Sequence, residues 1–427
     1  MSRIRRGAIQ IAIILGTAFS LTLARAENWP QYRGFAGDGI SREKIDLPSP
    51  ELKPLWTVPT PAGFSSFVVS DGKAFTVVTR DQEGTPMAMC IALDAGTGKE
   101  LWSVPTGVGR FPEGGDSGTP DNKGGDGPRS TPAVSEGRVY VYSAEMTLQC
   151  LDAATGKTEW RHEIAKEYNG HNISWKSAMS PMIEGKLLYV AGGGAGQSML
   201  AFDKTTGAVV WKQGDETMTH ATPTFATILG VQQVIFMMQS GLVSLEAATG
   251  KPLWKFKFPY RTSTACSPIV SDDIVVCSAG YDIGAAGCKV SKEGDTFSTK
   301  EIWRVRGNKP LGTLWSTPVA RGGYVYGIIG YKEFGSAALK CVEAATGTVK
   351  WEQPGFGTGN VLLAGDRLAC LSDDGRVVIV QADPAAYKEL ARFKAVTGKC
   401  WSTPALSDGK LYVRSTKEGA CFELGAR

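Results

Sequence analysis

The sequence predicts an all-β chain: an eight-bladed β-propeller of four-stranded antiparallel blades, its ring closed by the N-terminal strand. Two observations carry the repeat. The stretch LDAATGKTEW at 151–160 recurs as LDAGTGKELW at 93, FDKTTGAVVW at 202, LEAATGKPLW at 245 and VEAATGTVKW at 342, and its tryptophans belong to a series at Trp56, Trp102, Trp160, Trp211, Trp254, Trp303 and Trp351, with Phe393 as an eighth station. Between them a Ser/Thr-Pro opens an apolar run: STPAV at 130, SPMI at 180, TPTF at 222, SPIV at 267, STPV at 316 and STPAL at 402, with Phe67 and Asn360 in register at the two remaining places. Self-similarity at about 40–50 residues is the period of propellers and solenoids. A third observation closes the ring. The last unit runs out without a Trp, whereas LKPLWTVP at 52–59 is an outer strand without a unit. Joining them hides two edges.

The elements follow in chain order. Arg3, Arg5 and Arg6 precede an apolar run from Ile9 to Leu23 and the small-x-small site Ala24-Arg25-Ala26. This is the pattern of a secretory signal peptide, cleaved after Ala26, with no transmembrane segment expected afterwards. The first cysteine is Cys90, so no lipid-attachment cysteine stands at the cleavage point. Residues 27–51 read as an N-terminal extension, and 52–427 as a single propeller whose last blade is completed by 52–59. Within blade 2, TPAVS, RVYVYSA, TLQCLD and KTEWRHE read as four strands, the alternation in VYVYS having the period of a half-buried strand. Asp152 and Gly156 supply the turn between the third and fourth. Each Trp stands eight residues beyond its Asp or Glu, a fixed offset that sets it on the outer strand for packing on the next blade. Blades 5 and 7 are degenerate: VSKEGDTFSTKEIW carries an insertion, and QADPAAYKELARF lacks both Gly and Trp.

Charge excludes some functions. Without the four arginines of 1–26, 42 basic residues balance 42 acidic ones. A neutral chain without a basic run gives no reason to expect nucleic acid as a partner. Nine cysteines leave at least one unpaired. Cys150, Cys288, Cys341 and Cys421 read as one repeat position, normally small and buried, too far from its equivalents in adjacent blades to cross-link. No disulfide is expected.

Short turns on one face leave the long connections, 103–129, 161–179, 255–265 and 304–315, on the other, where function is more often carried. Trp315 and Trp401 stand three residues before the inner-strand proline, and Arg129 and His220 hold that position elsewhere. With His171, Trp175 and Lys176 from a neighbouring connection, they are the candidate ligand-binding residues at the mouth of the central funnel, suited to a planar or anionic ligand. The alternative is that they plug the channel. The loop 107–128 holds Asp116, Asp121 and Asp126 among glycines but matches no calcium loop. The three histidines lack metal-ligand spacing, so no metal site is expected.

The repeats resemble the PQQ-like (quinoprotein-type) β-propeller repeat family across nearly all of 27–427. NWPQYRG at 28–34, GPRSTPAV at 127–134, SAGYDIGAAG at 278–287 and EAATGTVKW are similar to its secreted bacterial subgroup. That resemblance implies two functional classes. Alcohol-oxidising members carry a vicinal Cys-Cys disulfide over the quinone, a Trp beneath it, and calcium held by Glu, Asn and Asp near a catalytic Asp. This sequence has no adjacent cysteines, so no catalytic residue and no cofactor are assigned. BamB-like members, eight-bladed and of similar length, are scaffolds. The expectation is therefore an exported, periplasmic or secreted, non-catalytic binding or scaffolding propeller. It would be a monomer engaging an envelope protein or a small ligand through its loop face and funnel. A PQQ-dependent dehydrogenase using calcium, acting on an alcohol or sugar, is the alternative.

Overall fold

Short alternating runs bounded by Gly-containing hairpins have one consequence: within a blade, strands pair with their sequence neighbours, the strands of the N-terminal segment excepted. The computed structural model describes residues 27–47, 52–110, 127–260, 264–307, 311–330 and 337–425. The expected leader and Asp116, Asp121 and Asp126 lie outside the described residues. Eight antiparallel sheets stand in a ring. We number the blades from the first complete one: 68–108, 133–163, 182–213, 224–257, 269–305, 319–354, 360–394 and 405–423. The strand Pro54–Pro59 pairs antiparallel with Glu418–Glu423 and supplies the missing outer strand of blade 8, with Trp56 opposite Cys421. The ring is closed as the sequence predicts. A single-turn helix, Ile164–Glu167, follows the outer strand of blade 2. Among the described residues no helix is long and apolar enough to cross a membrane.

The recurring decapeptide makes two joints at once. In blade 2 the Asp152 carboxylate accepts the Thr155 N–H at 2.8 Å and the Thr155 hydroxyl at 2.6 Å, holding the turn. Gly156 then takes φ 75°. Onto that glycine the preceding blade lays Trp102, whose indole N–H reaches the Ala153 carbonyl at 3.1 Å. The same bond runs from Trp56 to Ala95, Trp160 to Lys204, Trp211 to Ala247, Trp303 to Ala344 and Trp351 to Asp383. A buried indole N–H needs a partner, and a carbonyl at a fixed place in the next turn provides it. Blade 5 lacks that turn, and Trp254 bonds instead to Gln233 of its own blade at 2.7 Å.

All nine cysteines are buried and free. One assignment is corrected: Cys288 is not at the shared repeat position. Gly287 faces Trp303, and Cys288, one residue on and past the bulge that recurs at this place in the other blades, faces Glu301. A Cβ on Gly287 would lie 2.2 Å from the Trp303 Nε1, so this blade tolerates only glycine where others carry Ala, Cys, Ser or Ile.

The Ser/Thr-Pro signal has a role that its reading as a strand opener missed. In six of the eight blades the residue before the inner-strand proline, or its equivalent, stitches its blade to the next around the axis. Backbone N–H groups donate from Ser66 to Thr131 Oγ1, Thr131 to Ser180 Oγ, Ser180 to Thr222 Oγ1, Ser267 to Thr317 Oγ1, Thr317 to Asn360 Oδ1, and Thr403 to Ser66 Oγ. Inner strands at the narrow end of a wedge have no neighbour on their axial edge, so a short polar side chain from the next blade satisfies the exposed amide.

The N-terminal extension threads this axis. Trp29 exchanges backbone bonds with Val69 of blade 1, Pro30 accepts from Val134 of blade 2, and the Gln31 amide brackets Ile183 of blade 3. Arg33, fully buried, donates to the carbonyls of Thr317 and Pro318 in blade 6, and Ile40–Ser41 pairs in parallel with Asn360–Ala364 of blade 7. One strap thus touches blades across the ring.

Candidate functional site

Three residues before each inner-strand proline the chain turns toward the axis, and eight equivalent positions converge there: Phe64, Arg129, Ala178, His220, Ala265, Trp315, Thr358 and Trp401. Seven of them line one cavity of about 160 Å³, joined by Tyr32 from the strap, Trp175 and Tyr281 from two connections, Leu314, and the hydroxyl-bearing Ser66, Ser180 and Thr222. The Trp315 indole N–H donates to the Thr358 carbonyl at 3.2 Å, which draws the eighth position into the same wall.

The candidates named from the sequence separate into two groups. Arg129, Trp175, His220, Trp315 and Trp401 share the lining. His171 is exposed on the connection after blade 2, and Lys176 is half-buried; neither belongs to that lining. Lys176 contributes through its backbone, which with that of Ser174 bonds the His220 ring. Sequence reasoning missed Tyr32, Phe64, Tyr281 and Leu314. Phe64 was findable by counting back from Phe67, as Trp315 is from Pro318. Tyr32 and Tyr281 lay inside NWPQYRG and SAGYDIGAAG, while nothing marked Leu314.

One wall is a stack of three rings. Trp315 and Trp401 lie 4.2 Å apart at 29°, and Phe64 lies 4.6 Å from Trp401, with the Lys399 ammonium 4.8 Å over the Trp401 ring. Opposed to it are Trp175 and Tyr281, parallel to within 8° at 6.5 Å, with His220 6.4 Å from Trp175. Arg129 joins the walls, donating to the Trp175 carbonyl at 2.5 Å. Burial pushes the His220 imidazole down to about 4, with the Arg129 charge acting in the same direction, so it is neutral at pH 7. Arg129 is therefore the charge this lining presents among the described residues.

A calcium-held quinone needs oxygen ligands, chiefly carboxylates. Among the described residues the lining contains no Asp, Glu or Cys, and no cluster of three or more His, Cys, Asp or Glu could hold a metal ion. All nine thiols are buried, and those of Cys266 and Cys421 are pushed up to about 12 by burial. The described donor set does not fit that group. It offers flat apolar faces, one guanidinium and hydroxyl groups.

Comparison with known proteins gives two kinds of relative. Residues 87–281 match the family model described as outer membrane protein assembly factor BamB. The dehydrogenase subunit of a quinone alcohol dehydrogenase from Gluconobacter oxydans (strain 621H) is 30% identical over 223 residues, covering 42% of this chain and 28% of that protein. The chain thus spans less than a third of that relative's length. Among solved structures, BamB from Moraxella catarrhalis superposes with a TM-score of 0.60 at 16% identity, over 87% of this chain and 98% of that one. The quinohemoprotein alcohol dehydrogenase from Comamonas testosteroni gives 0.63 at 16%, over 94% and 81%. At such identity these likenesses carry the fold alone.

Proposed function

We propose that this chain, a propeller of PQQ-like repeats, is an exported, non-catalytic binding propeller of the cell envelope, engaging a protein or small ligand through its loop face and axial cavity. The observation that carries the reading is the composition of that cavity: aromatic walls and one guanidinium, without a described carboxylate to act as base or metal ligand. The match to the BamB family model supports a scaffolding role in the cell envelope; in this reading the chain acts as a monomer. To test it, tagged chain is cross-linked in envelope preparations and the captured species are identified by mass. A defined partner is expected, and the Trp315→Ala/Trp401→Ala pair weakens its capture. Equal capture by that variant, with its fold verified, moves the site away from the axis.

A second reading is a PQQ-dependent dehydrogenase acting on an alcohol or sugar, favoured by the Gluconobacter relative. Reconstitution with PQQ and calcium, followed by dye-linked oxidation, is expected to give no turnover. Quinone absorbance retained through gel filtration together with turnover would replace the scaffold reading with this one.

A further inference from the structure

The repeat holds one coincidence that neither blade packing nor the axial cavity uses. Three residues after its outer-strand Trp, or after Phe393 in blade 7, each blade carries one of Pro59, Pro105, Glu163, Gly214, Lys257, Arg306, Pro354 and Val396. Only blades 4 and 5 place a cation there, and they are neighbours. Lys257 and Arg306 line one cleft of about 390 Å³, together with Asp282, Glu301 and Arg304. The outer strands Pro252–Lys257 and Thr296–Val305 end here, so the cleft lies on the face of the long connections.

Arg304 is the fixed part of this cleft. Its guanidinium lies over the rings of Phe258 and Phe256 of blade 4, at 4.9 and 5.8 Å. Its Nε and Nη2 donate to Glu301 Oε2 at 2.9 and 2.5 Å, and Nη2 also donates to the Lys257 carbonyl at 3.0 Å. Two rings beneath it and three bonds on one side set the plane of the fork. Its Nη1 makes no hydrogen bond among the described residues, and the Arg306 side chain there makes neither a hydrogen bond nor an ion pair. The Arg304 hydrogen bond and, to a smaller degree, the Arg306 charge hold the Glu301 carboxyl below its usual range. Glu301 Oε1 accepts no hydrogen bond among the described residues. The Gly307 N–H donates to the Asp282 carbonyl at 3.2 Å, tying the exit of the strand to the connection 280–283.

We propose that the cleft between blades 4 and 5 binds a phosphorylated saccharide, its phosphate held by Arg304 and Arg306 beside the charge of Lys257 and a sugar hydroxyl donating to Glu301 Oε1. The site shares no residue with the axial lining, so this inference goes beyond the binding role proposed above and does not depend on it. Arg304 and Arg306 alternate along the end of one strand and so project to the same side. Two guanidinium forks match the oxygens of a phosphate. Three cations against two carboxylates favour an anion, while an ionised Glu301 among them favours one that also brings hydroxyl donors. The volume falls within the roughly 300–1,000 Å³ of small-molecule sites, which leaves room for a sugar ring beyond the phosphate. The described lining holds no aromatic residue to favour a flat apolar ligand.

Calorimetry on the purified mature chain tests this with glucose 6-phosphate, glucose and inorganic phosphate. Glucose 6-phosphate is expected to bind on the order of tenfold more tightly than either of the others. Arg306→Gln, at an exposed side chain with no described bond to lose, lowers that affinity on the order of tenfold and leaves the thermal midpoint unchanged. Arg306→Lys recovers part of the loss. The Trp315→Ala/Trp401→Ala pair leaves the affinity as it is, and a loss there would return the binding to the axis. Free sugar phosphates and phosphorylated saccharide headgroups of lipids offer the same group, and cosedimentation with phosphatidylcholine vesicles with and without lipid A separates them. Retention that needs lipid A and is competed away by glucose 6-phosphate assigns the headgroup, and binding of glucose 6-phosphate without retention assigns the free sugar phosphate. Glucose or inorganic phosphate binding as tightly as glucose 6-phosphate, affinity unaltered in Arg306→Gln, or no binding in either form overturns the proposal.

Discussion

At the residue scale the chemistry of the axis depends on where single polar side chains are buried. His220 lines the axial cavity with Arg129, and burial together with that charge holds its imidazole near 4. Its ordinary value is about 6.5. Between those two values the unfolded chain carries a proton that the folded chain refuses. Stability therefore rises with pH through that window and is lost as pH falls from 6.5 toward 4. The full difference is about 3 kcal/mol. In denaturant unfolding of the wild type and His220→Gln from pH 7.5 to 4, the gap between them is expected to shift toward the variant by that amount. Groups elsewhere, such as Asp38 and Glu43, whose carboxyls burial pushes up, cancel in the comparison. A gap independent of pH would remove His220 from this role.

At the scale of the element, one decapeptide is both turn and socket. Its glycine has two separable jobs. At Gly137, in the hairpin between the inner strands of blade 2, φ is 75° and an added Cβ meets nothing within 4 Å. At Gly156 φ is again 75°, but the Cβ would lie 2.8 Å from Val104 Cγ1 and 3.0 Å from the Trp102 ring. Gly137→Ala is therefore expected to cost about 1 kcal/mol, the strain of left-handed backbone alone. Gly156→Ala should cost about 2–4 kcal/mol, because it also pushes the neighbouring blade's indole out of its socket. The urea midpoints of the two variants read the difference, and equal shifts would mean that the indole adjusts freely. The Asp and Thr of the turn belong to the same unit. The Thr155 hydroxyl and amide hold the Asp152 carboxyl below its usual range, so the charged form favours the folded turn at neutral pH.

On the scale of the whole molecule the ring has to be shut, and two devices shut it. The strap crosses the axis, and Arg414 clamps the seam. Arg414 is 1% exposed, and its guanidinium donates to Thr76 Oγ1 and the Val77 carbonyl in blade 1 and to the carbonyls of Thr60, Ala62 and Gly63 just after the closing strand. Arg414→Met fits the volume but leaves those acceptors unsatisfied. It is expected to destabilise by about 3 kcal/mol or more and to raise aggregation under mild heating, as the edge Glu418–Glu423 loses its cover. Light scattering and the thermal midpoint read both effects. A variant as stable as the parent would assign closure to the strand and strap alone.

The repeat, blade count, missing outer strand and stations of the tryptophans were legible in the sequence, because hairpin chemistry and blade-to-blade packing are local and recur at a fixed offset. The axial positions were legible by the same counting: Arg129, His220, Trp315 and Trp401 share one register. What lies between the copies was not. That Trp175 enters the cavity while His171 stays outside, that Tyr281 lies parallel to Trp175, that Tyr32 reaches the lining, and that Cys288 gives its place to Gly287 all depend on irregular connections, a lengthened hairpin and a strap. Their partners lie far apart in sequence and are joined only when the ring closes. By itself the sequence determined a ring of eight blades, since each unit carries its own turn, strand and socket. The tertiary structure alone decided the composition of the cavity at the axis, because a surface assembled from one residue per blade exists only once all eight have been brought together.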